Sequence, residues 1–83
     1  MDQITLKIHS IVKQACNSGI IGEFDDLKEI HYLDELDMIE ILVDIEKAFD
    51  LNIPDEKWPN IKSVHEMVNL IKELKEESEV IEN

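Results

Sequence analysis

Arginine is absent from this chain, and cysteine occurs only once, at Cys16. A single cysteine cannot form an internal disulfide, and its position among the apolar residues of a predicted helix indicates a reduced, half-buried side chain. The longest uninterrupted apolar run, at residues 41–43, is too short to span a membrane. The N-terminus also lacks the basic and apolar segments of a secretory signal, so we expect a cytoplasmic protein that makes no membrane contact.

Basic residues of any kind are scarce in this chain. Twenty acids against eight lysines leave a net charge of −12, which would repel nucleic acid. The charge is also uneven, because residues 34–50 contain seven acids and one lysine and carry −6 by themselves. An acidic excess is often only a means of staying soluble, whereas a concentrated acidic patch can also steer a basic partner toward its binding site.

Apolar spacing predicts a first helix over residues 4–15, and the sequence Asn-Ser-Gly at 17–19 provides a C-terminal stop. The apolar residues of this helix are Ile4, Ile8, Ile11, Val12 and Ala15. From Ser18 to Leu33 the pattern is irregular, so we predict a long loop that is held by inward-pointing apolar side chains. These anchors are Ile20, Ile21, Phe24, Leu27 and Ile30.

A second helix is predicted to begin after Asp34, whose side chain suits an N-cap, and to end at about Asp50. Pro54 interrupts the helical pattern, and a short helical turn is expected over residues 55–58. Ser63 and Glu66 form the pattern of a capping box, in which each side chain accepts a hydrogen bond from the other's backbone N–H. The apolar face of the last helix consists of Val64, Met67, Val68, Ile71 and Leu74.

The predicted architecture is an all-α bundle of three main helices and one short helix. Residues 1–76 are expected to form a single domain, because a chain of 83 residues is too short for two cores. Residues 77–83 have lost the apolar stripe and are expected to form an acidic, frayed tail. We expect the domain to be monomeric.

The predicted second helix has two apolar faces when its residues are projected at about 100° per residue. The core-facing group is Met38, Ile41, Leu42, Ile45, Ala48 and Phe49. On the other side lies a narrower docking strip, formed by Leu36, Ile39 and Val43. Its charged borders are Glu40, Asp44 and Lys47 along one edge and Glu35 and Glu46 along the other. Periodicity alone leaves two interpretations open: the strip binds a partner, or the short helix or the long loop covers it.

A longer pattern runs through the segments DELDMIEILVDIEKAFDLNIPDE and SVHEMVNLI. From about Leu33 to Leu74 the chain thereby resembles the acyl carrier protein family, whose pattern is Asp-Ser-Leu-Asp, an acidic helix ending in Glu-x-x-Phe, and Ile-Pro-Asp-Glu. The residues in register are Asp34, Leu36, Asp37, Glu40, Glu46, Phe49, Ile53, Pro54, Asp55 and Glu56. The resemblance implies a small four-helix bundle with a long first loop.

The resemblance also implies a binding surface, because helix two of the family docks basic patches on synthases, transferases, ligases and similar proteins. This role carries over to the acids Asp34, Asp37, Glu40 and Glu46, with the docking strip as the apolar contact and Asp44 on its edge. Lys47 departs from the acidic continuation that is usual in the family. One lysine among seven acids still leaves this face strongly negative.

The residue that departs most from the family pattern is Glu35. In the family a serine at this position attacks coenzyme A and acquires a 4′-phosphopantetheine arm. A carboxylate cannot form the stable phosphodiester that serine forms, and its charge opposes the incoming phosphate. The other serines lack the flanking Asp and Leu of the family site; they are Ser10, Ser18, Ser63 and Ser78. We therefore expect no cofactor unless Glu35 is replaced by serine.

Three explanations for Glu35 remain open from the sequence. An acid in the first turn of a helix stabilises it through the helix dipole by about 0.3–1 kcal/mol, so drift in a protein that has ceased to be a carrier is one explanation. The second is that Glu35 imitates the phosphate of the modified state. The third is a genuine carrier of fatty acid or polyketide biosynthesis whose attachment serine has been substituted.

The sequence also bears on other classes of function. No catalytic spacing is present, because the three histidines are dispersed and the adjacent carboxylates of Asp34 and Glu35 point in different directions on a helix. Divalent cation binding by the clustered acids is more credible than catalysis, but no EF-hand spacing is present and any such site would be weak. A small acidic inhibitor or immunity-like protein that covers a basic enzyme is the main rival. It would share the charge but would not require the Ile-Pro-Asp-Glu turn.

Overall fold

A computed structural model describes the backbone of residues 2–16 and 20–81 and the side chains of residues 2–16 and 20–76. In this part of the chain the elements are α1 (Gln3–Ala15), α2 (Glu35–Phe49), a 3₁₀ helix (Asp55–Asn60) and α3 (Val64–Ile81). The same residues contain no strand, and the predicted all-α bundle is confirmed. The predicted stop at 17–19 lies outside the described residues.

Helix α1 forms the centre of the packing, because it lies against both α2 and α3. Its buried residues are Ile8 and Val12. At its start, the Asp2 carboxylate accepts a hydrogen bond of 2.7 Å from the Thr5 backbone N–H and lies 2.7 Å from the Lys72 ammonium on α3. Lys72, and then the Thr5 N–H, hold the pKa of Asp2 well below its ordinary range. Asp2, the N-cap residue of α1, therefore also links α1 to α3.

Two alanines that were predicted to face the core, Ala15 and Ala48, are exposed instead. In each case the following residue takes the inward position: Cys16 is buried, and Phe49 packs against the core. Counted from the preceding buried residue of its helix, each alanine lies at i+3 and its neighbour at i+4. These two positions point about 100° apart, so the core at the last turn of each helix covers only one of them.

The loop between α1 and α2 turns fewer side chains inward than predicted. Ile21 and Leu27 are buried, as expected. Ile20, Phe24 and Ile30 are 87%, 73% and 52% exposed, so their prediction as anchors is wrong. A loop has no helical or strand period, and apolarity alone therefore does not reveal which of its side chains face the core.

Backbone hydrogen bonds hold this loop against the start of α3. The Leu27 N–H donates to the Lys62 carbonyl, and the His65 N–H donates to the Glu23 carbonyl, both at 2.9 Å. These bonds satisfy main-chain groups that burial would otherwise leave without partners. The path of the loop, and with it the direction of its side chains, is thus set by contacts that are distant in sequence.

Helix α2 begins and ends as the sequence predicts. Asp34 is its N-cap and forms a capping box with Asp37. The Asp37 N–H donates to the Asp34 carboxylate at 2.8 Å, and the Asp34 N–H donates to the Asp37 carboxylate at 3.1 Å. At the other end, Asp50 adopts a left-handed conformation with φ of 53° and closes the helix. The residues buried along its core face are Met38, Ile41, Leu42 and Ile45.

The 3₁₀ helix runs two residues further than the predicted turn. It extends past Pro59 to Asn60, because the hydrogen bonds at its ends do not require the N–H that proline lacks. The Lys57 N–H donates to the Pro54 carbonyl at 2.9 Å, and the Ile61 N–H donates to the Trp58 carbonyl at 3.2 Å.

The predicted capping box before α3 is half right. The Ser63 hydroxyl accepts a hydrogen bond from the Glu66 N–H at 3.3 Å, as expected. The Glu66 carboxylate instead accepts from the Lys62 N–H at 2.9 Å and from the Ser63 hydroxyl at 3.3 Å. It thus reaches one residue further back than the standard pattern.

Helix α3 buries most of its predicted apolar stripe. Val64, Met67, Val68 and Ile71 are buried, and Leu74 packs against the core at its edge. The helix continues to Ile81, into the segment predicted as a frayed tail. The division into a domain at 1–76 and a tail at 77–83 remains a prediction. Within the described residues, no helix is long and apolar enough to cross a membrane.

Candidate functional site

The predicted docking strip is open at its N-terminal end. Leu36 is 75% exposed and Ile39 is 39% exposed, whereas Val43, one turn further on, is half-buried. Two of its acidic neighbours, Glu40 and Asp44, are exposed on the same helix. The first two residues of the strip therefore present apolar surface beside negative charge, Leu36 more than Ile39.

Three of the predicted docking acids already have partners within the chain. Asp34 and Asp37 bond each other's backbone N–H groups in the capping box at the start of α2. The Glu46 carboxylate is half-buried and accepts a hydrogen bond of 2.8 Å from the Ile53 N–H. These acids still contribute charge to the surface, but each side chain is held in place by a hydrogen bond from the backbone N–H of another residue.

Glu46 belongs to a connected pair of hydrogen bonds that fastens the 3₁₀ helix to α2. The Ile53 carbonyl accepts a hydrogen bond of 3.0 Å from the Trp58 indole nitrogen, while the Ile53 N–H is bonded to Glu46. Ile53 itself is buried. The indole of Trp58 is therefore anchored through Ile53 to the last turn of α2, which the sequence pattern does not reveal.

A pocket of about 320 Å³ lies between α2, the 3₁₀ helix and the loop. Its apolar lining is Met38, Ile39, Leu42, Trp58, Pro59 and Ile61. Its charged lining is Asp26, Glu29, Glu35 and Asp55, together with Lys28 and Lys62. The pocket joins the exposed end of the docking strip, through Ile39, to the side chain of Glu35. Sequence reasoning missed the pocket because its walls come from segments that are far apart in the chain.

The three histidines, which the sequence shows only as dispersed, all contact the loop between α1 and α2. His9 lies 3.1 Å from the Ile21 carbonyl oxygen, through its Nε2 atom. The Nε2 atom of His31 lies 2.9 Å from the Asp25 carboxylate. His65 lies 3.7 Å from the Glu23 carboxylate. The histidines are dispersed in the sequence because they contact the loop from α1, from the loop itself and from α3.

Two titratable groups near the site have altered pKa values. The hydrogen bond from His31, and then that from the Gly22 N–H, lowers the pKa of the Asp25 carboxyl. Burial, and then the negative charge of Asp37, raises the pKa of the Cys16 thiol. A raised thiol pKa leaves little thiolate at neutral pH, so Cys16 is poorly suited to act as a nucleophile.

Among residues 2–16 and 20–81, no group of three or more histidine, cysteine, aspartate or glutamate side chains is arranged to hold a metal ion. The adjacent acids Asp34 and Glu35 do not form a pair either, since Asp34 bonds Asp37. The arrangement around α2 offers an apolar strip, an acidic border and a pocket, which suit binding rather than chemical transformation.

No protein-family model matches the chain. An acyl carrier protein from Rickettsia bellii is 46% identical over 77 residues, which cover 90% of this chain and 95% of that protein. The chain belongs to the acyl carrier protein family. The mitochondrial acyl carrier protein of Saccharomyces cerevisiae is 32% identical over 84% of this chain and 61% of its own length. A Clostridium acetobutylicum acyl carrier protein is 41% identical over 53% of this chain and 57% of its own length.

Membership of the acyl carrier protein family agrees with the helical bundle and with the long first loop. The relatives are named as carrier proteins and not as enzymes, in agreement with the prediction that this chain is not an enzyme.

Proposed function

We propose that this acyl carrier protein family member is a protein-docking module that carries no phosphopantetheine arm. Glu35 is proposed to stand where carriers of the family have their attachment serine, directly after the N-cap Asp34 and before Leu36. The docking partner is proposed to be a protein with a basic patch, such as a synthase, transferase or ligase. Its monomeric state and cytoplasmic location remain predictions.

The residues near Glu35 do not fit the prosthetic group. Glu35 is exposed at the first position of α2 and has no hydroxyl to bond a phosphate covalently. Ser63 is buried and its hydroxyl bonds Glu66, while Ser10 lies on α1. Glu35 therefore contributes only its charge at this position.

The observation that carries the docking proposal is the exposure of Leu36 and Ile39. The rest of α2 buries most of its large apolar side chains, whereas Leu36 is mostly exposed and Ile39 is partly exposed where it lines the pocket. Burial of such residues by a partner supplies affinity, while the surrounding acids raise the rate of encounter with a basic surface. The net charge of −12 makes a basic partner the natural complement.

Glu35 has two proposed roles within this function. Its charge stabilises the start of α2 through the helix dipole, by about 0.3–1 kcal/mol. Glu35 also lines the pocket. The second proposed role is that its charge imitates the phosphate of a modified carrier. The first role requires only the helix, whereas the second requires a partner that recognises the charge.

A genuine carrier with a substituted serine is the second candidate. It is favoured by the 46% identity over 95% of a protein named acyl carrier protein. The two candidates share the docking surface and differ only at Glu35, so they are separated by a test of modification rather than of binding.

Binding kinetics test the docking proposal, with a purified basic synthase of fatty acid biosynthesis as the immobilised partner. Glu40→Lys combined with Asp44→Lys should slow association, because exposed charges at the rim mainly set the encounter rate. Ile39→Ala should instead speed dissociation, by roughly 5- to 150-fold if the side chain is a hot spot. Circular dichroism must first show that each variant folds.

A matched control is available on α3, where Glu73→Lys combined with Glu76→Lys makes the same change in net charge on other exposed acids. This control should leave association nearly unchanged. If it slows association as much as the α2 pair does, the partner responds to net charge alone. If none of the variants changes binding, α2 is not the docking surface.

A further inference from the structure

Two residues of the loop between α1 and α2 converge on the imidazole of His65, near the start of α3. The Glu23 carboxylate lies 3.7 Å from its Nδ1 atom. The Phe24 ring lies against the imidazole, with the two ring centres 4.5 Å apart. On α3 itself, the side-chain amide nitrogen of Asn69 lies 3.1 Å from the Nε2 atom. His65 thus contacts a carboxylate, an aromatic ring and an amide at once, and none of these groups belongs to α2.

Backbone hydrogen bonds place these side chains at a junction between the loop and α3. The His65 N–H donates to the Glu23 carbonyl, and the Leu27 N–H donates to the Lys62 carbonyl, both at 2.9 Å. The loop–α3 junction consists of Glu23, Phe24 and Leu27 on one side and of Lys62 and His65 on the other. It gives the exposed Phe24 ring a partner at the surface instead of in the core.

The neutral imidazole of His65 fits this junction in one tautomer. The amide nitrogen of Asn69 is a hydrogen-bond donor and not an acceptor, so the Nε2 atom that it contacts must present a lone pair. The single proton of the neutral ring is then on Nδ1, which faces the Glu23 carboxylate. While His65 is uncharged, its interaction with Glu23 therefore lacks the added strength of an ion pair.

Protonation of His65 strengthens its contacts with the loop. The imidazolium carries a proton on both nitrogens and a positive charge, so that Glu23 becomes its partner in an ion pair. A cation is also attracted to the face of an aromatic ring, here that of Phe24. The Asn69 amide keeps its contact by turning its oxygen toward the Nε2–H. The loop side of His65 thus gains two favourable interactions, and the α3 side loses none.

We propose that the loop–α3 junction responds to pH: protonation of His65 fastens the loop to α3 through Glu23 and Phe24, and deprotonation loosens it. Histidine is the side chain that ordinarily changes charge between pH 5 and 8. Because the protonated form makes the stronger contacts, they are present at the acidic end of this range and are lost as the pH rises through it. Loosening affects the segment that also carries Asp26 and Lys28, which line the pocket beside α2.

The other charged groups near His65 on α3 have partners or positions of their own. Glu66 follows His65 directly, but its carboxylate accepts hydrogen bonds from the Lys62 N–H and the Ser63 hydroxyl. The Lys62 side chain lines the pocket beside α2. In the part of the chain that the structure describes, Glu23 is therefore the carboxylate that forms an ion pair with His65.

Two further histidines contact the same loop and provide matched controls. Within the loop, the Nε2 atom of His31 lies 2.9 Å from the Asp25 carboxylate. His9 on α1 lies 3.1 Å from the Ile21 carbonyl oxygen. The net charge of −12 favours protonation of all three histidines alike, so a response specific to His65 must come from its contacts at the loop–α3 junction.

Hydrogen exchange followed by NMR tests the proposal on the whole chain. The amides of Leu27 and of position 65 are the reporters, because each is hydrogen-bonded across the loop–α3 junction. The amide of buried Ile45 in α2 is the reference. After correction for the intrinsic exchange rate, protection of the reporters relative to the reference should fall by about two- to fivefold between about pH 5.5 and 8. Unchanged relative protection would overturn the proposal.

Single replacements assign the response to His65. His65→Gln should abolish the pH-dependent change at the Leu27 amide, and Glu23→Gln should remove at least about half of it because the ion pair is lost. His9→Gln and His31→Gln should retain the response. A response that survives intact in His65→Gln or Glu23→Gln, or that vanishes in either control, would overturn the proposal.

The imidazole of His65 supplies a second test that needs no substitution. At about pH 8 the nitrogen chemical shifts of the ring should place the proton on Nδ1, as the contacts with Glu23 and Asn69 require. A proton on Nε2 at that pH would remove the arrangement on which the proposal depends and would overturn it.

Discussion

The Glu46 carboxylate and the Ile53 N–H are joined by a hydrogen bond of 2.8 Å that ties the last turn of α2 to the segment before the 3₁₀ helix. The Ile53 carbonyl continues the connection to the indole of Trp58 at 3.0 Å. An acid of α2 thus also positions a wall of the neighbouring pocket. The Glu46 side chain therefore contributes negative charge to the surface and also holds the segment before the 3₁₀ helix in place.

Replacement of Glu46 should therefore cost stability, unlike replacement of a free acid. Glu46→Ala leaves the N–H of buried Ile53 without its partner, and we expect a loss of about 1–2 kcal/mol in the free energy of unfolding. Glu40→Ala removes the same charge from an exposed position of the same helix and should change stability by less than about 0.5 kcal/mol. Urea denaturation measures both. Equal losses would show that the hydrogen bond adds nothing.

The Glu35 proposal predicts a result in a modification assay. Incubation with coenzyme A and a broad-specificity phosphopantetheinyl transferase should leave the intact mass unchanged, because the site has no hydroxyl. Glu35→Ser should gain the mass of the arm, whereas Glu40→Ser, which places a serine elsewhere on α2, should not. A mass gain in the unaltered chain, at any residue, would contradict the proposal that it is not a carrier.

The pair formed by Asp25 and His31 predicts a contribution to stability in the acid range. Hydrogen bonding lowers the pKa of Asp25 in the folded chain below its ordinary value of 3.8. A group with a depressed folded pKa stabilises the fold above its unfolded pKa, and this contribution is lost as the pH falls through the folded pKa. Asp25→Asn should therefore make the acid unfolding transition less steep below about pH 4.

The direct measurement for this pair is an NMR titration of the Asp25 carboxyl. His31→Ala should raise the pKa of Asp25, since His31 is the largest cause of its depression. Glu29→Gln, which removes a charge from the same loop without touching the pair, serves as the control. A pKa that stays the same in His31→Ala would assign the depression to the Gly22 N–H.

Cys16 should react slowly while the chain is folded. Burial is the first cause of its raised pKa, and both the shortage of thiolate and the lack of access reduce its rate of alkylation. Iodoacetamide at pH 7.5 should label the folded chain at least about tenfold more slowly than the chain in urea, as followed by mass spectrometry. Similar rates in the two states would mean that Cys16 is accessible in the native fold.

Local sequence features predicted the elements of this fold because they act over one or two turns. The cap at Asp34, the break at Pro54 and the apolar stripe of α3 all lie where the pattern predicts them. The two faces of α2 could also be predicted, since helical periodicity alone separates the core-facing residues from Leu36 and Ile39. These features need no knowledge of what the helix packs against.

The helix ends mark the limit of such reasoning. Ala48 and Phe49 are both on the apolar side of α2, yet only Phe49 packs against the core. Two lysines, Lys7 on α1 and Lys75 on α3, place their ammonium groups 5.4 and 5.7 Å from its ring centre. Which residue is covered at a last turn depends on the neighbouring helices, and periodicity contains no information about them.

By itself, the sequence determined the helices, the cap at Asp34 and the acidic, partly apolar surface of α2, because each follows from the spacing of residues along one segment. Only the tertiary structure decided that Phe24 is exposed, that Glu46 bonds Ile53, and that Glu35 and Trp58 line one pocket. These relationships join segments that the chain brings together only when it folds. Their geometry depends on packing and on backbone hydrogen bonds between distant residues, neither of which has a local period.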